Sequence, residues 1–420
     1  MAEQEHAALA EFRAHVRTWL GENAPPKRLR TDFGELDRTE EAEAVATARR
    51  FQAALFDAGL AGLTWPTEYG GRGLGPEYQR VYVEEAAPYE MPERYFRISI
   101  GSVGPTLLQL GTETQKRELV PKILRGDLTF CQLFSEPGAG SDLAGLQTRA
   151  VRDGDGWVIN GQKVWTSGAH RADRGVLIAR TDPDVPKHAG LTMFILDMKA
   201  PGVMVRPLRQ ITGETHFNEV FLDDARIPLD DVLGEIGEGW KCSTALLMNE
   251  RVAIGTAVGG GPSGEVENFA LLLELARRRD LQADPVIRQE LADLYIRQRC
   301  LGLLRQRSQA AIRAGRPAGP TGSVAKLATA ETSQRSGQLA LRLAAAGGQA
   351  WLPDNGEAGR WSHLALTTRS RSIGGGTSEI QRNIIGERAL GLPREPDPSR
   401  STPFRDLVVN PLDTRSRSTP

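Results

Sequence analysis

Cysteine is scarce: Cys131, Cys242 and Cys300 are the only three in 420 residues, far apart and without a CxxC pair. An odd, scattered set offers neither a disulfide framework nor a zinc site, so a reducing cytoplasm is the expected compartment. Excess charge of either sign is also missing. With 52 Lys+Arg against 53 Asp+Glu the net charge is −1, which leaves no domain-wide footprint for nucleic acid or anionic lipid. No stretch approaches the roughly 20 consecutive apolar residues of a membrane span. The first residues, MAEQEHAALAEFRAHVRTWLG, carry Glu3, Glu5 and Glu11 and read as an amphipathic helix rather than a secretory or transit leader. The final Arg-Ser-Thr-Pro is no peroxisomal address.

What is present is globular material, 40% hydrophobic and 25% charged, in a chain long enough for two or three domains. Residues 1–128 show helical spacing, as in Leu9, Phe12, Val16 and Leu20, with irregular loops expected at 65–73 and 101–105. From 129 to 238 the period becomes two, predicting strands at 129–134, 157–159, 163–165, 176–179, 191–196 and 216–222. Asn160-Gly161 predicts a hairpin turn between the second and third of these. Six or seven short strands predict a barrel or sandwich. From 239 to 392 the helical period returns, with long runs at 265–279, 285–314 and 321–346 broken at 259–262 and at Arg316-Pro317. Residues 393–420 hold six prolines and are expected to be a flexible tail or an arm laid on another subunit, with 404–409 its only apolar cluster.

Three segments suit a cofactor. Phe134-Ser135-Glu136-Pro137-Gly138-Ala139-Gly140-Ser141-Asp142 follows a strand with a tight loop whose N–H groups and hydroxyls fit a phosphate or a flavin edge. Alone it reads equally well as a surface turn. Asn160-Gly161-Gln162-Lys163-Val164-Trp165-Thr166-Ser167-Gly168 lies downstream, where Trp165 is either a cofactor contact or a core aromatic. Gly374-Gly375-Gly376-Thr377-Ser378-Glu379-Ile380-Gln381-Arg382-Asn383 lies near the end. On the helix that follows the β region, Ser243, Leu247, Glu250 and Ile254 share one face, so Glu250 interrupts an apolar stripe. It is either a base in an apolar setting or a structural partner of Arg251 or another cation.

In register, PxEYGGxG, EPGAGSD, NGQKVWTSGA, Asn249-Glu250-Arg251 and GGTSEIQRN make residues 50–392 resemble the acyl-CoA dehydrogenases. The resemblance implies an α+β fold: an α-helical N-terminal domain over 1–128, a central β-barrel or sandwich over 129–238, and a C-terminal four-helix bundle over 239–392. It implies FAD, an acyl-CoA substrate, an electron-transferring flavoprotein as electron acceptor, and a homotetramer or homodimer. By motif matching, FAD would touch Gln132, Phe134, Ser135, Gly140, Ser141, Trp165 and Ser167, with Thr377 and Glu379 on its far side and Arg279 and Gly348 reaching it across an interface.

The implied chemistry removes the proton α to a thioester while hydride leaves the β carbon for the flavin, and so needs a carboxylate whose pKa burial raises. In many members that glutamate precedes the Gly-Thr of the last motif; here the position is Gly375. The isovaleryl- and long-chain-type members instead carry it on the first helix of the C-terminal domain, before an arginine, which matches Glu250. Ser141, Arg251 and Gly375 are then the substrate contacts, Gly375 through its backbone N–H. Two interface features depart from the pattern: the Arg-x-x-Phe segment reads Arg279-Asp280-Leu281-Gln282, and the usual Gln before Gly347-Gly348 is Ala344. Residues 259–264 look like an insertion in a helix that is otherwise continuous. These departures leave open a heteromeric dehydrogenase whose flavin site is completed by a different chain. A same-fold flavin monooxygenase or nitroalkane oxidase is a further alternative, although the loop Asp of the latter is absent.

Overall fold

The computed structural model describes residues 2–27, 38–256, 269–314, 320–349 and 356–407. Among the described residues, six α-helices come first: α1 (Ala2–Asn23), α2 (Arg38–Asp57), α3 (Pro76–Ala86), α4 (Glu93–Ile98), α5 (Gly104–Leu110) and α6 (Glu113–Arg125). Local signals set their ends. Thr112 and Gln115 form a reciprocal capping box at the start of α6, and Gly126 closes it at φ 82°, a left-handed conformation that glycine adopts without a Cβ clash.

The expected loop at 101–105 is instead helical. A π-helical turn, Ser99–Val103, joins α4 to α5, and Pro105 is tolerated because it falls in the first turn of α5. Gly104 is needed there, since a Cβ would lie 2.3 Å from the Trp65 ring.

Eight strands follow: β1 (Phe130–Leu133), β2 (Arg149–Asp153), β3 (Gly156–Ser167), β4 (Arg174–Arg180), β5 (Leu191–Asp197), β6 (Val203–Leu208), β7 (Phe217–Pro228) and β8 (Val232–Leu233). They pair in the order β6-β7-β3-β2-β4-β5-β8, with β1 parallel to β4. The β2–β4 link is the single pair Arg149↔Arg180, so the sheet folds into two leaves. Between them lie Cys131, Leu133, Trp157, Ile159, Leu177, Phe194, Val220 and Ile227. The opposite face of β4 and β5 packs Val176, Ile178, Met193 and Ile195 against Leu107, Ile123 and Leu124 of the helical domain. Burial on both faces explains the unbroken apolar run in β4.

The hairpin expected at Asn160-Gly161 is not there. β3 runs straight through it, with pairing irregularities between Ile159 and Gly161 and between Lys163 and Thr166, and the chain reverses earlier, at Gly154-Asp155, between β2 and β3. The side chain and N–H of Asp224 on the neighbouring strand both hydrogen-bond the Asn160 amide; that cross-strand anchoring supports a bulge instead of a turn.

α7 (Gly239–Thr256) lies against the π-turn, α5 and β5. Four helices, α8 (Phe269–Arg278), α9 (Pro285–Arg313), α10 (Thr321–Ala344) and α11 (Gly356–Thr367), share a core of Leu272, Leu275, Leu291, Leu294, Leu339, Leu343 and Trp361. α12 (Ser378–Arg388) packs on α10. The expected insertion at 259–264 and the break at Arg316-Pro317 lie outside the described residues. Among the described residues, no helix is long and apolar enough to cross a membrane.

The expectation of a flexible tail fails at residues 403–407. Phe404 is buried, its N–H donates to Val185 O at 2.9 Å, and Arg405 N–H donates to Pro183 O at 3.0 Å. The segment is an arm on the chain's own β domain, because Phe404 finds an apolar and cationic seat there. Residues 408–420 lie outside the described residues.

Candidate functional site

The loop after β1 is held by buried charge. Gln132 is half-buried and Phe134 buried. Glu136 accepts hydrogen bonds from the main-chain N–H groups of Gln147 (2.7 Å) and Thr148 (2.9 Å) and pairs with Lys163 Nζ at 2.8 Å. Lys163 also donates to Phe134 O at 3.1 Å, and Val164 N–H donates to Ser135 O at 2.8 Å. Burial alone would raise the Glu136 pKa; the Lys163 charge and these donors outweigh it and hold the carboxyl below its usual range. Burial likewise lowers the Lys163 pKa against the pull of Glu136. Both residues stood inside motifs that the sequence singled out, yet neither was given a role. The readable signal is one acidic and one basic residue, Glu136 and Lys163, each next to apolar or small residues of a strand or loop.

On the neighbouring stretch of β3, Trp165 adopts φ 59° and is 56% exposed. The alternative of a core aromatic is thereby overturned. Its ring meets Phe217 edge-on at 5.9 Å. A left-handed backbone at a bulky residue is strained, and Asn218 helps hold it: fully buried, Asn218 donates through Nδ2 to Thr166 O (3.0 Å) and His216 O (3.2 Å). Ser167 is half-buried, and Gly140 and Ser141 are exposed. A Cβ built on Gly140 would meet nothing within 4 Å, so the chain's own packing does not demand glycine there. A ligand lying against the loop would.

Glu250 lies on α7. The buried stripe of this helix is Cys242, Ser243 and Leu246, continued by Asn249, whose Nδ2 donates to Thr106 Oγ1 on α5 at 3.1 Å. Leu246 belongs to the same core as Phe134, and Leu247 packs against it. Glu250, one turn beyond Leu246, therefore stands at the margin of that core. It is half-buried in the isolated chain, a more open setting than the apolar pocket expected. The side chains of Arg251 and Ile254 lie outside the described residues.

The remaining candidates sit on the C-terminal helices. Thr377 caps α12, and Thr377 and Glu379 line a shallow cavity of about 350 Å³ with Ala330, Glu331, Gln334, Ile373 and Arg382. All of its walls come from α10 and residues 372–382. Gly375 has φ 69°, and its Cβ position also faces open space. Arg279 is exposed at the end of α8. Gly348 accepts a hydrogen bond from Ser362 Oγ at 2.9 Å. Ala344, where the resemblance implies glutamine, is only 2% exposed and belongs to the bundle core, so it presents nothing to a ligand. One chain thus joins the β1 loop, β3 and α7 through a common core and hydrogen bonds, while Thr377 and Glu379 form a separate surface.

The β-domain residues suit a flavin: an exposed indole, an uncrowded glycine loop and hydroxyls at Ser135, Ser141 and Ser167 supply apolar contact and hydrogen-bond donors. Comparison with known proteins points to the same cofactor. The N-terminal, middle and C-terminal domain models of the acyl-CoA dehydrogenases match residues 6–127, 131–225 and 237–390. Acyl-CoA dehydrogenase IpdE1 of Mycobacterium tuberculosis is 42% identical over 392 residues, 92% of this chain and 98% of the relative. Among solved structures, the Tcur3481-Tcur3483 steroid ACAD superposes with a TM-score of 0.75 at 31% identity, covering 93% of this chain and 98% of the other. The ChsE4-ChsE5 complex from Mycobacterium tuberculosis gives 0.73 at 31%, covering 92% and 98%. With all three domains matched in order, the chain belongs to the acyl-CoA dehydrogenase family and is an FAD-dependent oxidoreductase of lipid metabolism.

Proposed function

We propose that the chain removes the α proton of an acyl-CoA thioester with Glu250, giving the trans-2-enoyl product. The observation that carries this reading is the placement of Glu250 at the margin of the core containing Phe134, on a helix whose rotation is fixed by the Asn249–Thr106 hydrogen bond. Gly375, at the position of the alternative base, has no side chain to compete. FAD, when bound, supplies the hydride acceptor, and an electron-transferring flavoprotein is the proposed electron acceptor. Phe134, Ser135, Trp165 and Ser167 orient the ring, Ser141 and Arg251 hold the substrate, and the Gly375 N–H donates to the thioester carbonyl as negative charge develops there. In the assembled enzyme, a second surface closing over half-buried Glu250 would exclude water and raise its pKa toward the working range.

Replacing Glu250 by Gln is expected to leave FAD bound while slowing anaerobic bleaching of the flavin band by a CoA thioester about 10²–10⁴-fold. Undiminished bleaching would sink the assignment.

A second observation supports a heteromeric assembly. Buried Ala344 and the altered Arg279-Asp280-Leu281-Gln282 segment lack two groups that the family resemblance places at a neighbouring subunit's flavin, and two solved relatives carry paired names, the Tcur3481-Tcur3483 steroid ACAD and the ChsE4-ChsE5 complex. We infer that a different chain completes the flavin site and that the acyl group is bulky and steroid-derived. A stable homo-oligomer with one FAD per chain and full activity would count against this.

A further inference from the structure

Arg180, the last residue of β4, is 5% exposed. Its hydrogen bonds end on main-chain carbonyls: Nη2 to Ala144 O at 2.6 Å, Nε and Nη2 to Leu146 O at 3.3 Å, and Nη1 to Lys187 O at 3.2 Å. Ala144 and Leu146 belong to the far end of the glycine loop; Lys187 belongs to the turn between β4 and β5 and pairs with Asp142 of the same loop at 2.9 Å. The near end of the loop is held independently by Lys163 and Glu136. A buried guanidinium is stable only while its donors are satisfied. The loop therefore cannot lift without stranding this charge.

The arm closes the remaining side. The Phe404 ring centre lies 3.3 Å from Arg180 Cζ, and the arm clamps the β4–β5 turn through Phe404 N–H to Val185 O, Arg405 N–H to Pro183 O, a Pro186–Pro403 bridge and an Arg405–Asp184 ion pair. We infer that Phe404 is a positioning residue: stacked on Arg180, it holds the loop that carries Gly140 and Ser141 in its binding conformation, so that the C-terminal arm is a working part of the cofactor site. The effect on FAD rests on the proposed contacts of that loop; the effect on the loop itself does not.

The test uses the full-length protein with Phe404→Ala and Phe404→Tyr, reading amide hydrogen exchange over residues 138–147 and the FAD dissociation constant from flavin fluorescence. Phe404→Ala is expected to speed loop exchange about 30-fold, the scale of a desolvated cation–π contact, and to weaken FAD by a similar factor. Exchange in the bundle helices should stay unchanged, and Phe404→Tyr should restore both values. Loop exchange that stays at the wild-type rate while residues 403–407 fray would overturn the inference. Faster loop exchange with unchanged FAD affinity would uphold the clamp and overturn the loop's assignment as a flavin contact. If Phe404→Ala also loosens the bundle, Arg405→Ala, which weakens only the arm's grip on Asp184, takes its place under the same two readouts.

Discussion

Glu136 and Lys163 illustrate what a single buried pair asks of a loop. With side-chain exposures of 8% and 0%, neither charge is tolerable alone, because the desolvation cost is offset only by the partner and by the surrounding donors. Glu136→Gln leaves Lys163 buried and unpaired, and is expected to lower unfolding free energy by about 3–5 kcal/mol in urea titration. The pH dependence has a definite sign. The folded-state pKa of Glu136 lies below its unfolded value of about 4.3, so its contribution is fully present above that pH and is lost as pH falls through the lower folded value. Stability of the wild type should therefore decline on the acid side more steeply than that of Glu136→Gln. Equal acid slopes would show that the pair carries no linkage.

At the scale of elements, β3 matters most. It holds Trp165 and Ser167 because it continues through Asn160-Gly161, a dipeptide that favours a turn when only neighbours in sequence compete. Here cross-strand partners decide: Gly161 sits so close to the preceding strand segment that a Cβ would come within 2.4 Å of Thr148 Oγ1 and 2.8 Å of Thr148 Cα, at φ 157°. Gly161→Ala should cost about 1–3 kcal/mol in thermal or urea unfolding, because the added Cβ has to displace Thr148. Three strands escaped the sequence pattern for identifiable reasons. β2 buries one of its five residues; β6 is an edge strand, where Pro207 loses no ladder bond it needs; β8 has two residues. The π-turn at Ser99–Val103 was hidden by glycine and proline, which mark loops locally but here accommodate Trp65 and a helix start.

At the scale of the molecule, the proposed site is divided. The β1 loop and α7 share a core and β3 is hydrogen-bonded to that loop, whereas Thr377 and Glu379 line a separate surface formed by α10 and residues 372–382. Exposure of Trp165 in the lone chain matches a surface that another chain or a ligand covers. Purified alone, the chain is expected to retain FAD poorly, and co-expression with a second acyl-CoA dehydrogenase subunit should raise FAD occupancy and give a larger species in light scattering. Full occupancy in a monomer would contradict a site shared between chains.

The order of the domains, their helical and β periods, the family and the identity of the chemical groups were legible in the sequence, because period and motif are local properties that survive without coordinates. The residues proposed to touch flavin and substrate come from the same motifs. What the sequence could not decide was which charges end up buried, since Glu136, Lys163 and Arg180 look like surface residues until two leaves of sheet and a loop close over them. Nor could it show that Phe404 returns to its own β domain, or that Asn160-Gly161 stays extended. Each of those outcomes depends on partners far away in the chain, and only the tertiary fold brings them within hydrogen-bonding and packing distance.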